Sequence, residues 1–137
     1  MKLDTQNVSE ILNDYFAGMI GMTVSHVEPG HSVCHLEITP RHLNAGGVLH
    51  GGAQYTLADT SMAIAVLAGL EDGLDCATLE IKMTYFKAVS SGAITCETRV
   101  ISKSNRVAFL ESEVRSGEEL IAKASGTFYI LRRKPQV

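Results

Sequence analysis

The hydrophobic positions of this chain change period along its length. Val8, Ile11, Leu12, Tyr15, Phe16 and Met19 recur at i, i+3 and i+4, the spacing of one helical face, so residues 4–19 predict an amphipathic helix. Asp4 or Thr5 is placed to cap its start, and Gly18 and Gly21 bracket its end. The period then falls to two. Met22–Val27 and Ser32–Thr39 predict strands joined by the turn-forming cluster Glu28-Pro29-Gly30-His31. In the second strand Cys34, Leu36 and Ile38 alternate with Val33, His35 and Glu37, the pattern of a half-buried strand.

A glycine-rich loop, Pro40–Leu49, leads into a helix predicted from about Gly51 to Leu67, with Gly69 and Gly73 as stop signals. This helix is rich in small residues, among them Ala53, Ala58, Ser61, Ala63 and Ala65. A helix with so little charge must bury most of its sides, and small side chains let a sheet approach closely. Period two returns in Cys76–Phe86, where Ala77, Leu79, Ile81, Met83 and Tyr85 alternate with Thr78, Glu80, Lys82 and Thr84. Ala93–Lys103, Arg106–Ser116 and Leu120–Arg132 follow. Short turns separate these strands, so they predict an antiparallel meander. The expected fold is α+β: an N-terminal helix, then a long central helix against an antiparallel sheet of five to six strands. With 137 residues and no repeats or linkers, one domain spanning 1–137 is expected.

Composition narrows the function. The formal net charge of -3 disfavours nucleic acid as a partner, because phosphate binding needs a cationic excess. The longest uncharged apolar run, Met62–Leu70, is far short of the roughly 18 residues of a membrane span. The N-terminus lacks the apolar region of a signal peptide, so a cytoplasmic location is expected. Cys34, Cys76 and Cys96 form no CxxC and read as reduced, small core residues. Among the histidines, His31 and His35 share a strand face but stand about 13 Å apart at the usual rise. With no HExxH pattern from these, His26 or His42, no metal site is expected.

The charge distribution points to chemistry. Charged residues are 20 % of the chain, yet from His42 to Leu70 the single charge is Asp59. Gly51 and Gly52 stand where the helix begins, so their N–H groups have no intrahelical partner and sit at the positive end of the dipole. They make a candidate oxyanion or carbonyl site, or else a glycine turn for tight packing. A carboxylate at Asp59, inside an apolar helix with no nearby Lys or Arg, suits a nucleophile or general base in a dry pocket. The alternative is an Asp bonded to backbone or facing a water-filled seam. Gly51 and Asp59 lie about 12 Å apart along one helix, too far to serve one reacting centre. Two antiparallel copies bring them together, so a two-fold dimer with composite sites is expected.

The run Asn44-x-x-Gly47-x-x-His50-Gly51-Gly52, then Leu57-x-Asp59, resembles the signature of hotdog-fold acyl-CoA thioesterases of the phenylacetate-pathway type, the branch that includes thioesterase superfamily member 2. The order of elements matches that fold, in which a sheet wraps a central helix. The resemblance implies hydrolysis of an acyl-CoA or aryl-acyl-CoA without metal or other cofactor. It implies that Asp59 attacks the thioester or activates water and that the Gly51 N–H polarises its carbonyl. His50 would orient the thioester or leaving thiolate, Asn44 would hold water or fix the loop, and Thr78 would position the attacking water. Each has a plainer reading: His50 as a helix cap, Asn44 as a turn residue, Thr78 as a strand former. Gly52 would line the substrate site, and Lys103 and Arg106, flanking a strand turn, would meet the CoA phosphates unless they are an ordinary charged hairpin. The basic end Arg132-Arg133-Lys134 reads as a solvated tail. Pairs of dimers are usual in such families, so a homotetramer is expected. A non-catalytic acyl-CoA binding protein is the main alternative function. The acyl group is not legible, although Leu57, Met62, Met83, Tyr85 and Phe86 are expected near it.

Overall fold

The computed structural model describes residues 2–134. The chain runs α1 (Thr5–Asn13), α2 (Phe16–Met19), β1 (Thr23–Glu28), β2 (His31–Glu37), a 3-10 turn (Pro40–His42), α3 (Gly51–Leu67), β3 (Leu74–Tyr85), β4 (Ala93–Lys103), β5 (Val107–Ser116) and β6 (Glu119–Arg132). All strand pairs are antiparallel, in one six-stranded sheet of order β1-β2-β4-β5-β6-β3. The α+β expectation and the central helix therefore hold.

The central helix is held on one face of the sheet by both apolar and polar contacts. Leu57, Ala58, Met62, Ala65 and Val66 are buried with Leu36, Ile94, Leu110 and Phe128 from four strands. Gly126 of β6 is needed for this approach, because a Cβ there would come within 2.5 Å of Met62 Sδ. Below the apolar layer four buried hydroxyls form a chain. Ser32 Oγ donates to the Ser61 carbonyl at 2.7 Å, Thr98 Oγ1 donates to Ser61 Oγ at 2.9 Å, and Thr98 and Ser112 share a 2.6 Å bond. Buried polar groups are costly unless paired, so this chain fixes α3 in register with β2, β4 and β5.

Three local expectations change. The N-terminal helix breaks at Asp14 and Tyr15 into α1 and α2, with Asp4 capping the start through a 2.8 Å bond from the Asn7 N–H. After the break Gly18 presses on the Leu12 backbone, and the predicted apolar stripe is only partly buried: Val8 is covered, but Tyr15, Phe16 and Met19 are exposed. The meander holds for β4–β5–β6 alone, since β3 lies beyond β6 at the sheet edge and β4 pairs with β2. Finally, β3 is not a simple alternating strand. Its register with β6 shifts between Thr78 and Glu80, a bulge that leaves Leu79 exposed.

Cys34 and Cys96 are buried, Cys76 half-buried, and all three are free thiols, as expected. Among the described residues no helix is long and apolar enough to cross a membrane.

Candidate active site

The start of α3 is built by the loop before it. Asn44 Oδ1 accepts from the Gly46 N–H at 2.9 Å and the Val48 N–H at 3.3 Å, and the Asn44 N–H donates to the Val48 carbonyl at 2.8 Å. Asn44 thus folds the glycine loop on itself, the turn role left open in the sequence. His50 follows as the N-cap: its Nδ1 accepts from the Gly52 N–H at 2.7 Å. The neutral ring therefore carries its proton on Nε2, which remains available as a donor.

This cap corrects one expectation. The sequence suggests open donors at both Gly51 and Gly52, but the Gly52 N–H is taken by His50. The Gly51 N–H has no acceptor among the described residues, so it is the one donor this pair offers at the positive end of α3. Gly52 instead supplies room, because a Cβ there would lie 2.9 Å from His50 Nδ1. Tyr85 secures the same turn from β3, its hydroxyl donating to the Gly51 carbonyl at 2.7 Å. Burial, then the neighbouring Tyr55, holds the Tyr85 phenol above its ordinary value of 10.0, so it stays a donor.

Two turns along α3, Asp59 is half-buried rather than sealed in the core. It belongs to a stripe with Gly52, Tyr55, Thr56, Thr60 and Ala63 that the single chain leaves open or partly open. Thr78 Oγ1 donates to Asp59 Oδ1 at 2.7 Å. The bulge makes this possible. A regular strand would put Thr78 on the face opposite Ile81 and Tyr85, whereas the extra residue at Leu79 lets all three serve the helix side. The plain reading of Thr78 as a strand former is thus too small, since its side chain holds the carboxylate.

The remaining candidates lie further off. Lys103 and Arg106 flank the β4–β5 turn, exposed and without an ion pair to any described residue. Lys103 pairs with Ala108, Ala108 with Phe128, and Phe128 with Thr78, so Lys103 lies on the sheet row of Thr78 three strands away. That is about 14 Å at the usual strand spacing. Leu57 and Met62, expected beside an acyl group, are wholly buried in the chain's own core. Tyr85 and Phe86 are partly exposed and line a hollow beside Gly51 with Val48, Leu49 and Gln54. Gln54 is buried, and its Oε1 has no hydrogen-bond partner among the described residues. Sequence reasoning missed it and the Tyr85 contact; an amide three residues after Gly51 on an apolar face was the available signal. The histidines also differ from expectation. The spacing of His31 and His35 argues against metal, but the β1–β2 hairpin brings His26 and His31 together around Glu28.

Comparison with protein families matches residues 46–123 to the Thioesterase superfamily. Acyl-coenzyme A thioesterase 13 of Homo sapiens is 26 % identical over 135 residues, covering 92 % of this chain and 96 % of that protein. A solved structure of a conserved protein from Pseudomonas aeruginosa has a TM-score of 0.81 at 34 % identity, over 84 % of this chain and 92 % of that one. A mutant of the phenylacetic acid degradation protein PaaI from Thermus thermophilus has a TM-score of 0.78 at 30 % identity, over 83 % of this chain and 96 % of that one.

Proposed function

The chain belongs to the thioesterase superfamily, and from that premise we propose that it hydrolyses an acyl-CoA or aryl-acyl-CoA thioester to the free acid and CoA. The observation that carries the reading is the 2.7 Å bond from Thr78 to Asp59, on the open stripe of the helix whose first N–H has no acceptor among the described residues. Thr78 has one hydroxyl proton and gives it to Asp59 Oδ1, so its lone pairs can accept from a water beside the carboxylate. Asp59 Oδ2 then faces that water as a general base, or faces the thioester carbon as a nucleophile. A carbonyl set on the Gly51 N–H develops negative charge where the donor and the helix dipole already point. The leaving thiolate takes a hydrogen bond from His50 Nε2–H. Lys103 and Arg106 receive the phosphates of the nucleotide end, and Gln54 offers its unpaired oxygen to the substrate.

One helix cannot bring its own Gly51 and Asp59 to one carbonyl, so the working unit is a two-fold dimer, which a second pairing turns into a homotetramer. The exposed edge of β3, with Leu79 at 60 % exposure and Phe86 just beyond the strand at 55 %, supports this reading as a surface for a second copy. The protein works in the cytoplasm without metal or other cofactor in the reaction.

A thiol-release assay over a panel of aliphatic and aromatic CoA esters tests the reading. Turnover of at least one ester is expected, lowered about 100-fold or more in Asp59→Asn. Binding without thiol release across the panel would make the chain an acyl-CoA binding protein instead.

A further inference from the structure

A second cluster of chemically able side chains lies away from Asp59, at the far end of α3. The hairpin between β1 and β2 is tied there by the Gly30 N–H, which donates to the Ala65 carbonyl at 3.0 Å, and by the Val100 N–H, which donates to the Gly30 carbonyl at 2.8 Å. Gly30 turns the chain with φ +78, a conformation that favours glycine. Across this fixed turn Glu28 pairs with His31, and His26 lies two residues before Glu28 on the same strand face.

The donor atoms converge. Glu28 Oε1 lies 3.0 Å from His26 Nε2 and 2.9 Å from His31 Nδ1, and one atom from each of the three residues falls within 4.8 Å of the others. The rings of His26 and His31 are 4.6 Å apart, tilted by 50°. We propose that His26, Glu28 and His31 bind a divalent first-row transition cation of the Zn2+ type, with Glu97 as the positioning residue for His31.

Three features suit an ion at this cluster. His26 Nε2 is shielded from solvent and lies 3.0 Å from Glu28 Oε1 at ion-pair distance, but it is not aligned for a hydrogen bond and has no hydrogen-bond partner among the described residues. His31 faces a carboxylate on both sides, with Nε2 3.0 Å from Glu97 Oε2. A doubly protonated ring would donate to both carboxylates, whereas a ring with a single N–H satisfies one and turns a lone pair to the other. A cation at Nδ1 makes both sides attractive. The arrangement of metal, imidazole and carboxylate is also the usual way a ligating histidine is oriented, and Arg99, 3.6 Å from Glu97 Oε2, steadies the outer carboxylate. The donor set is two imidazoles and one carboxylate, which suits Zn2+, Co2+ or Ni2+ and leaves remaining positions to water. Tetrahedral coordination separates donor atoms by about 3.4 Å, close to the two contacts through Glu28. The ion would fasten the edge strand β1 to β2.

The test uses the full chain stripped with a chelator, then titrated with Zn2+ by calorimetry and with Co2+ by absorption. One ion per chain is expected, with affinity lowered more than about 100-fold in His26→Ala and in His31→Ala. Glu97→Gln weakens binding about tenfold, and His35→Ala, on the same strand outside the cluster, leaves it unchanged. If an alanine variant does not fold, ring nitrogen shifts in the unaltered chain decide: His26 Nε2 and His31 Nδ1 must move on adding Zn2+. Absence of stoichiometric binding, unmoved ring nitrogens, or binding retained in folded His26→Ala and His31→Ala overturns the site.

Discussion

A single hydroxyl decides what Asp59 can do. Thr78 gives the carboxylate its one side-chain donor among the described residues, at 2.7 Å. Hydrogen bonds to a charged group contribute about 1.5–3 kcal/mol. Thr78→Val keeps the shape and removes the donor, so kcat/KM is expected to fall about tenfold to a hundredfold in the thiol-release assay. Thr78→Ser restores the hydroxyl and should keep most of the activity. The cysteines give a second prediction at this scale. Burial pushes the Cys34 and Cys76 thiols from 9.0 up to about 12, and burial also raises Cys96. At pH 8 the first two are thus held as thiols, whereas the unfolded chain, at the ordinary value of 9.0, carries a substantial thiolate fraction. Alkylation at pH 8 should therefore be slow in the native protein and fast in urea. The folded state holds these protons more tightly, so their contribution to stability is whole below about pH 9 and is lost as pH rises toward 12.

At the scale of elements, α3 was the most legible part of the chain, and its start offers a direct test. The helix spans Gly51–Leu67 as its glycines and its missing charges predict, because both signals are local. Gly51 is the first helical residue, the position where proline fits and its missing N–H breaks no intrahelical bond. His50 before it has φ -63 and ψ 133, the extended backbone that a following proline requires. Gly51→Pro thus removes the N–H proposed as the oxyanion donor without opposing the helix. The rate should fall about 100- to 1000-fold, with the far-ultraviolet circular dichroism retained. Gly51→Ala is the steric control: its Cβ meets the Tyr85 ring at 3.1 Å but the N–H remains, so its loss should be far smaller. Other elements were less legible for a physical reason. Alternation in Cys76–Phe86 identified a strand, but period two cannot register one extra residue, and the bulge at Leu79 sets which side Thr78 serves. Short turns located β4–β5–β6, while the placement of β3 beyond β6 depends on contacts distant in sequence. The break at Asp14 was equally hidden, since Tyr15, Phe16 and Met19 keep helical spacing while remaining exposed. The histidine cluster escaped because its ligands approach across a hairpin, where spacing along one strand says little.

For the whole molecule, the central question is whether one chain holds a complete site. Gly51 and Asp59 sit on one continuous helix, about 12 Å apart, so neither can reach the other's reacting centre within a chain. The edge strand β3 and the open stripe through Tyr55 and Asp59 are surfaces a second copy would cover. A composite site has a consequence that a single-chain site lacks. Combine Asp59→Asn chains with Gly51→Pro chains by co-expression. In a mixed dimer one site pairs both defects, and the other pairs an intact Asp59 with an intact Gly51. Random assembly makes half of the dimers mixed, so about a quarter of the unaltered activity should return, although each variant alone is nearly inactive. Activity equal to the average of the two variants would mean that each chain works by itself, and the dimeric site would fall. Sedimentation of the same mixture checks that dimers have formed. Recovered activity in dimers is then due to Asp59 and Gly51 meeting across the two-fold axis.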